Sequence, residues 1–70
     1  MNREINVTVN GFKESVPENA SLSFLIGHFK EGDADLIVEH NGRFIYPDKY
    51  SAVTVSEGDS VEFINPNFGG

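Results

Sequence analysis

The stretch INVTVNGFKESV, residues 5–16, decides the fold. Ile5, Val7 and Val9 recur at every second position with Asn6 and Thr8 between them, the pattern of a half-buried strand. Asn10 and Gly11 supply a two-residue turn that accepts positive φ, so Phe12 to Val16 return as the second arm of a hairpin.

Downstream the period changes. Pro17 to Ala20 break the strand, and either Asn19 or Ser21 can cap a helix, since the side-chain oxygen of each can accept a bond from a first-turn amide. Leu22, Leu25, Ile26 and Phe29 fall at i, i+3, i+4 and i+7, which puts all four on one helical face. Gly32 reads as the helix stop, Leu36 to Glu39 as a third strand, and Asn41 with Gly42 as a second hairpin turn before Phe44 and Ile45. Pro47 ends that strand. Val53 and Val55 read as a further short strand, Glu57 to Asp59 as a turn around Gly58, and Val61 with Phe63 as the last alternating pair. This order of elements predicts an α+β fold, with an antiparallel or mixed sheet of four to five strands and one helix packed across one face.

Seventy residues allow one domain, near the lower size at which a single core suffices. Cysteine is absent, which excludes disulfides, thiolate nucleophiles and cysteine-ligated metals. No apolar stretch approaches the roughly 20 residues of a membrane span, and no signal-peptide pattern opens the chain, so a soluble cytoplasmic protein is expected. Five basic against eleven acidic residues give a net charge of -6, which argues against binding to a phosphate backbone and favours a partner with a basic docking surface. His28 and His40 lack a third convergent ligand, and Glu31, Asp33 and Asp35 lack the ligand pattern of a calcium loop, so they read as a solvated connection. No serine has a partnered base nearby and no glycine-rich phosphate loop is present, which points away from an enzyme acting alone.

The end of the chain carries the functional signal. A strand-like run from Ser60 to Ile64 feeds into Asn65, Pro66, Asn67, Phe68, Gly69 and Gly70. We expect residues 1–64 to form the domain and residues 65–70 a flexible arm that carries the terminal carboxylate. Pro66 stiffens the arm by fixing φ. Phe68 has two readings, an anchor in a partner's apolar slot or a contact folded back onto the protein's own sheet. Terminal glycines also have a plain reading, as a frayed end without function.

Taken in order, Val7-Thr8-Val9-Asn10-Gly11, Val38-Glu39-His40-Asn41-Gly42, Glu57-Gly58-Asp59 followed by Val61, and the closing Gly69-Gly70 resemble the ThiS and MoaD sulfur-carrier families, small β-grasp proteins similar in fold to ubiquitin. The resemblance implies a carrier and not a catalyst. An adenylating enzyme of the ubiquitin-activating type, similar to ThiF or MoeB, would join the Gly70 carboxylate to AMP, using ATP and magnesium, with no cofactor bound by the carrier. Sulfur would then replace AMP to give a thiocarboxylate, consumed by an acceptor such as a ThiG-like thiazole synthase. Gly70 is then the modified residue, Gly69 the permissive joint, and Asn65, Pro66, Asn67 and Phe68 the arm presented to partners. The docking face is expected on the side of the sheet away from the helix, and the free carrier is expected to be a monomer.

Tyr46, Pro47 and Asp48 depart from the proline-arginine pair common in the thiamine-pathway carriers, which removes any partner contact that uses the arginine. Tyr50 stands where those carriers commonly have an aromatic. Chain length and the short helix look like ThiS, whereas Pro66 looks like MoaD. Thiamine biosynthesis is the favoured pathway, with molybdenum or tungsten cofactor synthesis, or a ubiquitin-like binding module that is never activated, as the alternatives.

Overall fold

In the computed structural model, which describes residues 3–66, the opening stretch forms strands β1 (Glu4–Val9) and β2 (Phe12–Pro17). They pair antiparallel from Glu4 opposite Pro17 to Val9 opposite Phe12. Asn10 and Gly11 turn the chain with φ of 52° and 86°, the left-handed pair that a tight hairpin turn requires. Pro17 belongs to β2 and does not precede the break, because β2 is an edge strand where a missing amide hydrogen is tolerated.

Helix α1 spans Leu22–His28, and the Ser21 hydroxyl caps it by accepting the Phe24 amide at 3.0 Å. Of the two candidate caps, Ser21 therefore does the work, while Asn19 takes a left-handed turn with φ 66°. Leu22 and Leu25 are fully buried, and Ile26 and Phe29 pack half-buried against the same core. The helix does not run to Gly32. It stops at His28 because Lys30 adopts φ 59°, its amide bonds back to the Gly27 carbonyl at 3.2 Å, and the Glu31 amide bonds back to Ile26 at 2.8 Å. That is the two-bond left-handed termination usually built on glycine, here on a lysine.

Strand β3 spans Ile37–His40, one residue later than the apolar run suggested, and turns at Asn41 and Gly42 into β4 (Arg43–Ile45). A 3-10 turn, Pro47–Lys49, follows. Val53 and Val55 form no strand of the sheet. Thr54 makes a single bridge to Ser21, and the Leu22 and Val55 amides bond to the Val53 and Ala20 carbonyls at 2.9 Å, so this segment braces the start of α1. The burial of Val55 produced the alternating pattern, and the pairing that defines a strand is missing.

Strand β5 (Ser60–Ile64) completes a five-stranded mixed sheet of order β2-β1-β5-β3-β4. β5 lies at its centre, parallel to β1 and antiparallel to β3. One sheet face supplies Val7, Val9, Val16, Val38, Val61 and Phe63 to a core shared with Leu22 and Leu25. This is the β-grasp arrangement, a sheet wrapped around one helix.

Candidate functional site

The site is built on β5, because that strand delivers the chain to the arm. Its alternation buries Val61 and Phe63 and turns Ser60, Glu62 and Ile64 outward. Two asparagines hold it in place from both sides. Where β1 turns away, Asn10 Oδ1 accepts the Phe63 amide at 2.8 Å, and where β3 turns away, Asn41 Oδ1 accepts the Ser60 amide at 2.8 Å. The Asn-Gly turns thus serve twice, as hairpin bends and as side-chain rungs of the central strand.

The strand ends at Ile64, paired with Ile37. Asn65 is half-buried, and its Nδ2 donates to Glu31 Oε1 at 3.2 Å. Pro66 follows, exposed. Asn67, Phe68, Gly69 and Gly70, which carry the rest of the expected site, lie outside the described residues. Glu31, one of the acidic residues that read in the sequence as a solvated connection, is half-buried here. Its place beside the root of the arm depends on where α1 stops, and the sequence marks that stop with a lysine. An open groove of about 340 Å³ next to it is lined by Ile26, Glu31, Leu36, Pro47 and Tyr50. Burial pushes the Tyr50 phenol up from its ordinary value.

The outer face of the sheet carries a second feature. Register sets Phe44, Glu39 and Glu62 in one row across β4, β3 and β5, and Ile37 with Ile64 in the next. Phe44 is 50% exposed and Tyr46 65% exposed, and their rings meet edge to face at 4.8 Å. An apolar surface of Ile37, Phe44, Tyr46 and Ile64 therefore sits beside the root of the arm, interleaved with two carboxylates. Large aromatics left in water next to acids fit a partner surface that offers an apolar slot with basic surroundings.

Of the two histidines, His28 lies exposed between Phe24, stacked on it at 5.4 Å, and Phe29, edge-on at 4.8 Å. His40 Nε2 donates to Asp59 Oδ2 at 2.8 Å. Among the described residues no three His, Asp or Glu side chains gather as metal ligands, and no helix is long and apolar enough to cross a membrane.

Residues 2–70 match the sequence model of the ThiS family. Among solved structures, the chain is similar to a thiamine biosynthesis protein (ThiS) from Geobacter metallireducens, with 35% identity and a TM-score of 0.81 over 94% of this chain and all of that one. Comparison with curated proteins gives no match.

Proposed function

Because the chain belongs to the ThiS family of small sulfur carriers, we propose that it carries sulfur for thiamine biosynthesis as a thiocarboxylate on Gly70. An α-carboxyl group has a pKa of about 3.3 to 3.7, so at neutral pH it is an anion able to attack the α-phosphorus of ATP once a partner and its metal ion neutralise the repulsion. The attack forms an acyl adenylate and releases pyrophosphate. A sulfur nucleophile then displaces AMP, leaving one sulfur where an oxygen had been. Neither step needs a catalytic group on the carrier, which presents the acyl carbon and keeps its folded body clear of the partner's active site.

The observation that carries this reading is the family match extending to Gly70 on a chain whose central strand leads straight into the arm. At roughly 3.3 to 3.6 Å per residue, residues 65–70 reach about 20 Å when extended, far enough to enter an active site. Glycine at 69 and 70 lacks a Cβ, so the backbone can thread a narrow channel. The partners are an adenylating enzyme similar to ThiF and a sulfur acceptor similar to the thiazole synthase ThiG, and the adenylating enzyme docks on the face of Ile37, Phe44, Tyr46 and Ile64. The family match and the Geobacter neighbour support thiamine over the molybdenum or tungsten cofactor.

Intact-mass measurement after incubation with ATP, magnesium, a sulfur donor and the adenylating enzyme of the source organism tests the reading. A gain of about 16 Da that maps to Gly70, and is lost when Gly69 and Gly70 are deleted, is expected from exchange of oxygen for sulfur. A chain that stays at its starting mass with every candidate enzyme counts against the carrier reading and favours a ubiquitin-like binding module.

A further inference from the structure

The carrier reading leaves open how the root of the arm is aimed, and the contact between Glu31 and Asn65 bears on it. Glu31 sits one residue past the left-handed Lys30, and the helix-terminating bond from its own amide to the Ile26 carbonyl, 2.8 Å, fixes its backbone. The side chain leaves that fixed point and meets Asn65 Nδ2 at 3.2 Å, both residues half-buried. An ionised carboxylate only accepts, so the amide nitrogen of Asn65, and not its oxygen, must face Glu31. Asn65 is the first residue beyond β5, where the sheet ladder no longer holds the chain. It also precedes Pro66, which restricts Asn65 to extended backbone and has its own φ fixed.

We propose that Glu31 is a positioning residue for the arm: its hydrogen bond to Asn65, together with Pro66, sets the direction in which the chain leaves the sheet toward the adenylating enzyme. The inference rests on the carrier reading above. A pre-aimed root leaves fewer torsions to order on docking, so its loss weakens productive binding more than it slows the chemistry once bound.

Steady-state adenylation, followed by pyrophosphate release at varied carrier concentration, reads the effect. Glu31→Ala and Asn65→Ala should each raise the KM for the carrier by about three- to tenfold, the range for one released side chain, with kcat within about twofold. The double variant should be no worse than either single one, because both remove one bond. Glu31→Gln, which keeps an acceptor oxygen without the charge, should behave as the unmodified chain. Thermal denaturation of each variant separates this from loss of fold. Glu31→Ala at the unmodified KM, additive effects in the double variant, or Glu31→Gln as poor as Glu31→Ala each overturns the proposal while the carrier reading stands. An unmodified chain that accepts no AMP overturns both.

Discussion

Asp59 Oδ2 lies 2.8 Å from His40 Nε2 and 2.9 Å from the Ser56 amide, so one carboxylate ties the end of β3 to the turn that launches β5. Since an ionised carboxylate can only accept, His40 must carry its proton on Nε2. Gly58 makes that turn with φ 86°, and its amide reaches the Asn6 carbonyl at 2.7 Å. The turn is therefore anchored to both neighbours of the central strand.

Burial alone would push the Asp59 carboxyl up, but the bonds from His40, Ser56 and Asn41 outweigh it and hold the group below its ordinary range. The folded chain then binds that proton less readily than the unfolded one, so the contribution is complete above the unfolded value, near pH 4, and fades as pH falls through the lower folded value. Urea denaturation from pH 6 to pH 2 should show a steeper acid loss for the unmodified chain than for Asp59→Asn. At neutral pH, Asp59→Ala should cost about 1.5 to 3 kcal/mol, the range for hydrogen bonds to a charged group.

Asn10 separates a turn from a rung. Glycine tolerates φ 52° at this position but has no oxygen for the half-buried Phe63 amide. Asn10→Gly should keep the hairpin and lose about 1 to 2 kcal/mol in chemical denaturation, the cost of an orphaned donor. Amide exchange at Phe63 should accelerate with it.

Lys30 holds a left-handed conformation that costs an ordinary residue about 1 to 2 kcal/mol. Lys30→Gly should therefore stabilise the protein by about 1 kcal/mol, seen as a higher urea midpoint with unchanged slope. If the midpoint falls instead, the lysine side chain holds something that its backbone geometry does not reveal.

Phe44 and Tyr46 spend their area in water, so removing them should barely disturb the fold. On the carrier reading, Phe44→Ala and Tyr46→Ala should each weaken binding to the adenylating enzyme by about tenfold, as for an aromatic anchor at an interface. Titration calorimetry of the two proteins checks this, and undiminished affinity in both variants would move the docking surface elsewhere.

Much of this fold is written in local signals. The alternation of Ile5, Val7 and Val9, the two Asn-Gly turns and the Val61-Phe63 pair are read within a few residues, because strand burial has period two and left-handed turns have few tenants. The end of α1 was not legible, because Lys30 has no chemical preference for the backbone it adopts. Val53 and Val55 misled for the opposite reason: burial beneath the start of the helix mimics a strand's alternation without its pairing. The bond from Asn65 to Glu31 spans 34 positions and leaves no periodic trace. Of the expected site, the sequence placed Asn65 and Pro66 just beyond the last strand, where they stand; Asn67 to Gly70 lie outside the described residues.

The position of β5 has a mechanical consequence. Ladder bonds run across a strand, so a tug along the arm loads the rungs to β1 and β3, and the asparagine rungs at Ser60 and Phe63, in shear and together. An arm rooted in an edge strand would load the rungs to one neighbour only. On the carrier reading, a partner that draws this arm into a channel pulls on a strand paired on both sides, so the force is shared between two neighbours.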